Sequence, residues 1–86
     1  MGCTGLVQGF RGDVALRAGN YTEAIKHYTL AIATNPHYAQ YYVLRAYAYN
    51  NMHKYSLAIS DCDAAVRLVP RHSNAYQIRG CAYENL

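Results

Sequence analysis

Four histidines, three cysteines and five carboxylates are the residues of this chain that could do chemistry. His27, His37, His53 and His72 have neither metal-ligand spacing nor a paired cysteine, so no zinc or other metal site is expected. Asp61 and Asp63 flank Cys62, and on a helix residues two apart point away from each other, so they form no acid/base pair. Cys3, Cys62 and Cys81 leave one thiol unpaired in any disulfide scheme and contain no C-x-x-C. They read as small apolar residues in a reducing, cytoplasmic setting. Asn20-Tyr21-Thr22 matches a glycosylation acceptor, but with no secretory signal it reads as turn composition. Met1-Gly2-Cys3 has the start of an acylated N-terminus, yet Leu6 stands where the pattern wants Ser or Thr. No catalytic set emerges, and neither an enzyme nor a bound cofactor is expected.

The charged residues offer one constellation. Arg11, Arg45 and Arg79 recur at a fixed interval of 34 positions. They could form a basic stripe for an acidic partner. The plainer expectation is an internal ion pair, Arg45 with Asp61 in particular. In the first copy the position of Asp61 holds His27, so Arg11 lacks that partner. Such a pair, taken as partly exposed, contributes about 0–1 kcal/mol.

The elements that hold these residues follow from the same interval. Gly19–Pro36 and His53–Pro70 nearly repeat one another. Tyr21 answers Tyr55, Ala24 answers Ala58, Ile25 answers Ile59, Ala31 answers Ala65 and Pro36 answers Pro70. Upstream, Gly12, Ala46 and Gly80 share a register, as do Tyr42 with Tyr76 and Tyr49 with Tyr83. A fixed period of this length marks a repeat architecture. Within each period two helical patterns are separated by a turn, Gly19-Asn20 in the first copy and Met52-His53 in the second. Pro36 and Pro70 close each period because proline lacks the backbone donor and disfavours helix in the preceding residue. The small residues at fixed places let helices approach closely, and one helical pair cannot bury its face alone. Helices are expected at 6–18, 21–34, 39–51, 55–68 and 73–85.

The bulk numbers agree with one small globular domain of 86 residues, 52% hydrophobic and 15% charged. Ten of its eleven aromatics are tyrosine, which brings an apolar ring and a hydroxyl that needs a partner. A net charge of +3 is too weak to point to nucleic acid, and the cations are scattered where a single-strand reader would line them up beside its aromatics. The uncharged run from His27 to Leu44 is broken by Asn35-Pro36 and Gln40, so no membrane span is expected.

These residues resemble the tetratricopeptide repeat. Gly12, Gly19, Ala24, Tyr28, Ala31 and Pro36 match its pattern in a first repeat at 5–38. Tyr42, Ala46, Tyr49, Ala58, Ala65 and Pro70 match it in a second at 39–72. Tyr76, Gly80 and Tyr83 match the start of a third at 73–86. Gln8, Ala15 and Cys62 depart from the aromatics of the family pattern. The resemblance implies an all-α solenoid of antiparallel helix pairs, five helices in a right-handed superhelix, within a single domain spanning 1–86. It also implies a non-enzymatic scaffold that holds a protein or peptide partner in a groove lined by the first helix of each repeat.

Carried over position by position, the groove comprises Leu6, Gly9, Phe10, Asp13 and Arg17 from the first repeat. The second supplies Gln40, Val43, Leu44, Tyr47 and Asn51, and the last helix Asn74, Gln77, Ile78 and Cys81. One subfamily binds chaperone C-terminal carboxylates with a clamp of Lys and Asn on the first helix, Asn on the third, and Lys and Arg on the fifth. The matching positions here are Gly9, Asp13, Leu44, Asn74 and Ile78. None fits, and Asp13 would repel such a ligand. Two alternatives to a partner-binding groove are carried with it: a piece of a longer solenoid or self-associating unit, and, against the charge pattern, an RNA binder. In the last helix Ala75, Tyr76, Ile78, Ala82, Tyr83 and Leu86 are expected to form an apolar strip. Tyr76 and Tyr83 are expected to pack back as Tyr42 and Tyr49 do, and the open face to favour a homo-oligomer.

Overall fold

The computed structural model describes residues 3–86, with side chains described from Leu6 onward. The Met1-Gly2 start considered for acylation lies outside that range. Five helices follow in order: α1 (Cys3–Arg17), α2 (Tyr21–Thr34), α3 (Ala39–Asn51), α4 (Tyr55–Leu68) and α5 (Ser73–Glu84). α1 packs on α2 and α3 on α4, while α2 meets α3 and α5 rests on both α3 and α4. The only displaced boundary of more than one residue is the start of α1, at Cys3 rather than at 6.

Both inter-helix turns close by the same hydrogen bonds. Gly19 N–H reaches the Leu16 carbonyl and Asn20 N–H the Ala15 carbonyl, at 3.0 and 2.9 Å. His53 N–H reaches Asn50 and Lys54 N–H reaches Tyr49, at 3.1 and 2.9 Å. This double closure needs a left-handed residue. Gly19 takes it at φ 77°, and His53, a residue with a Cβ, takes it at φ 61°. The second copy therefore carries a conformational cost of about 1 kcal/mol that glycine would avoid. The His53 ring is held by the Tyr55 hydroxyl at 2.5 Å from Nδ1.

The core is built on alanine. Ala24, Ala31, Ala46, Ala58, Ala65, Ala75 and Ala82 are all fully buried. Where two helices touch, the two repeats divide the available volume differently. In the first, a Cβ on Gly12 would lie 2.7 Å from the Tyr28 ring, so glycine makes room for a buried aromatic. In the second, Ala46 shares a buried cluster with Cys62, which stands where the first repeat has Tyr28. A larger opposite residue is matched by a smaller side chain, which explains Cys62 as packing. Burial pushes its thiol up to about 11, away from the reactive range. Ala58→Leu should cost about 1–3 kcal/mol by overpacking, read as a lower urea midpoint. An unchanged midpoint would contradict this close contact.

The strip expected on α5 is divided. Ala75 and Ala82 are buried and Ile78 packs beside them. Tyr76 repeats the behaviour of Tyr42: their hydroxyls donate to the Pro70 and Pro36 carbonyls at 2.8 and 3.0 Å. Tyr83 does not repeat Tyr49. It is 57% exposed, because no described helix lies beyond that side of α5. Gly80 likewise has nothing within 4 Å of its Cβ direction, unlike Gly12.

Candidate functional site

The first helices α1, α3 and α5 share one face, and a trough runs across it. Its α1 end is a recess of about 390 Å³ walled by Leu6, Gly9, Phe10 and Asp13 from α1. Asn35 and Tyr38, with Gln40, Tyr41 and Leu44 of α3, form the other wall. The recess continues towards α5 along Val43, Leu44, Tyr47, Asn74, Gln77 and Ile78, with Gln40 and Leu44 common to both parts. Helical spacing explains the lining. Leu6, Phe10 and Asp13 lie three or four residues apart on α1, as do Gln40, Leu44 and Tyr47 on α3.

Of the groove residues read from sequence, Leu6, Phe10, Asp13, Gln40, Val43, Leu44, Tyr47, Asn74 and Ile78 line this trough. Val43 contributes only its edge, being 2% exposed and part of the core with Ala39, Ala65 and Ala75. Asn51 and Cys81 lie in an adjoining recess with Tyr47, Asn50 and Tyr55. Arg17 lines none of these recesses. Sequence reasoning passed over Tyr38 and Tyr41, whose rings meet edge to face at 4.6 Å. The signal was there: Tyr38, Tyr41 and Leu44 fall at successive three-residue steps. It also passed over Asn50, which donates to the Ile78 carbonyl at 3.1 Å while its buried Oδ1 has no partner.

Leu6 and Phe10 are the most exposed apolar side chains of the trough, 70% and 67%. Gly9 brings the α1 backbone against the Tyr41 ring, where a Cβ would come within 2.6 Å of Cε1. Asp13 accepts a 2.5 Å hydrogen bond from the Tyr28 hydroxyl. Burial and that carboxylate push the Tyr28 phenol far above its ordinary value, so it remains a donor.

The arginines divide by partner. Arg45 Nε and Nη2 grip Asp61 at 2.8 and 2.7 Å, and Nη1 donates to the Thr29 hydroxyl at 3.1 Å. The expected pair is therefore present, but it is buried rather than partly exposed: the Asp61 side chain is 7% accessible. Burial pushes the Asp61 carboxyl up, and Arg45 pulls it back only in part. Arg79 pairs with Asp63 at 2.7 Å, so Asp61 and Asp63 do point to different partners. Arg11 makes no ion pair among the described residues. In its repeat Gln8 and His27 meet instead, Oε1 to Nδ1 at 2.7 Å. Two of the three arginines are thus engaged internally and do not form a free basic stripe.

Among the described residues no group of three His, Cys, Asp or Glu could hold a metal ion. No described helix is long and apolar enough to cross a membrane.

The fold and trough define a helical-pair repeat protein. Two tetratricopeptide-repeat family models match residues 6–38 and 39–72, and the chain belongs to the tetratricopeptide-repeat family. It is 35% identical over 77 residues to RNA polymerase II-associated protein 3 of Xenopus tropicalis, covering 90% of this chain and 12% of that protein. The chain thus spans a small part of the curated relatives it matches. The solved Arabidopsis OM64 TPR domain superposes with a TM-score of 0.92 at 31% identity, covering 93% of this chain and 66% of that one. The first TPR of Spaghetti (RPAP3), bound to the HSP90 peptide SRMEEVD, superposes with a TM-score of 0.91 at 34% identity, covering 95% and 67%. Membership of this family supports the reading of the chain as a protein-interaction scaffold.

Proposed function

We propose that the chain holds a protein segment in the trough between α1, α3 and α5, with no catalytic step, and that it does not select acidic chaperone C-termini. The observation that carries the reading is the content of the five clamp positions. Gly9, Asp13, Leu44, Asn74 and Ile78 all line the trough, and they offer no cation and one anion. A peptide ending in two glutamates, a valine and an aspartate carries several negative charges and needs cations and amide donors. Here it would meet a carboxylate at Asp13 and apolar walls at Leu44 and Ile78. A lysine at position 9 would first have to displace the Tyr41 ring. The exposed Leu6, Phe10 and Tyr47 instead suit an apolar segment, whose burial drives binding without regard to direction.

Fluorescence anisotropy with labelled SRMEEVD tests the exclusion. No saturable binding is expected at micromolar protein. Micromolar affinity that is lost on Asp13→Ala or Asn74→Ala would overturn it. The groove itself is tested by Leu44→Glu with Tyr47→Ala, which should abolish capture of cellular partners while leaving the circular dichroism spectrum unchanged. Undiminished capture by that folded variant would place the interaction elsewhere.

A further inference from the structure

We infer that the α1 end of the trough takes a cationic side chain, an arginine before a lysine, carried by a segment whose neighbouring residues are apolar. The inference rests on the groove reading above and adds the charge that the groove selects. Asp13 is the one formally charged residue among those lining the two connected recesses. It makes no ion pair among the described residues, and Arg17, one turn further along α1, does not close on it. The Tyr28 hydroxyl donates to it, which anchors one carboxylate oxygen and fixes the side chain at the recess wall. An anchored carboxylate in a half-enclosed apolar recess attracts a cation more strongly than one in open water, since less solvent screens it.

The rest of the recess suits the same guest. Tyr38 presents aromatic surface in the same recess as Asp13, backed by the buried Tyr41 ring, and a guanidinium is favoured over an ammonium on such surface because it is planar and weakly hydrated. Leu6 and Phe10 line the same recess, and their exposure leaves them free to cover the methylenes of the guest and an adjoining apolar residue. The chain uses the same chemistry internally: the Arg45 guanidinium grips Asp61 while lying 6.0 and 5.9 Å from the Tyr42 and Tyr49 ring centres. At the trough the carboxylate and the exposed Tyr38 ring are present, and the guanidinium is left for a partner to supply.

The probe is the peptide acetyl-Ser-Leu-Xaa-Leu-Leu-Ser-amide with Xaa as Arg, Gln or Glu, titrated into the nitrogen-15-labelled domain and followed by heteronuclear NMR, which reads affinities down to millimolar. The Arg peptide should bind about tenfold more tightly than the Glu peptide, with Gln between. The shifts should centre on the Leu6, Phe10, Asp13 and Leu44 amides. Asp13→Asn keeps an acceptor for the Tyr28 hydroxyl and should remove the Arg-over-Glu preference while leaving the Gln affinity within about twofold. On the unaltered domain, the preference should also shrink as salt is raised, so the test does not depend on the variant folding. Equal binding of the three peptides, all lost on Leu44→Glu, would overturn the cation site and leave the groove standing. A preference that survives Asp13→Asn or ignores salt would overturn it as well. No binding by any peptide would overturn both readings.

Discussion

Tyr28→Ala should lower the free energy of unfolding by about 3–5 kcal/mol, the cost of emptying a buried aromatic site. Tyr28 is fully buried, and its ring lies against Gly12, whose missing side chain gives it room. Truncation therefore opens a void that Gly12 cannot fill. A chain of 86 residues holds only about 4–13 kcal/mol in total, so the loss is a large share of its stability. Urea denaturation should show the midpoint falling steeply. A shift below about 1 kcal/mol would mean that the first repeat contributes little to the cooperative unit. The milder Tyr28→Phe keeps the ring and removes the donor to Asp13, so it should cost about 1.5–3 kcal/mol, the range for a hydrogen bond to a charged group.

Asp61→Ala should be nearly as damaging, at about 3–5 kcal/mol, because it strands a buried arginine. The Arg45 side chain is 17% accessible and spends two donors on Asp61. The sequence alone suggested a partly exposed pair of small worth, and the structure changes the sign of the comparison. A pair sunk this deep gives little net stability over apolar residues of similar size, but its separation is expensive. Asp61→Leu combined with Arg45→Met should accordingly lie closer to the unaltered protein than Asp61→Ala alone. Equal losses in the single and double variants would show that packing, not the stranded charge, sets the cost.

How much of this was legible beforehand differs between backbone and surface. The helices could be read because their signals are local and doubled: each proline stop, alanine contact and turn occurs twice in one register. The turn at His53 was readable only as an irregularity, since nothing local says that a histidine will accept a left-handed backbone that Gly19 takes freely. Most groove positions followed from the resemblance to the tetratricopeptide repeat, and helical spacing explains why they share a face. Depth did not follow. Val43 and Leu44 are neighbours in sequence, yet Val43 sinks into the core and Leu44 stays at the groove, and that depends on where α5 comes to rest. Tyr83 was misjudged for a related reason: its counterpart Tyr49 is packed against a cluster to which α4 contributes Ala58 and Cys62, and Tyr83 has no such neighbour beyond it.

The two hydroxyl bonds from Tyr42 to Pro36 and from Tyr76 to Pro70 have a mechanical meaning. Each spans the joint between one repeat and the next, tying the first turn of the incoming helix to the stop that ended the previous one. Proline has already stiffened that joint, and the tyrosine pins it at a second point off the axis, as a brace does beside a hinge. Two braces at the same place in successive units oppose bending at that joint, each by about the 0.5–1.5 kcal/mol of a net hydrogen bond. On the groove reading proposed above, an entering segment would meet a surface largely bent in advance and would spend little of its binding energy on flexing the scaffold.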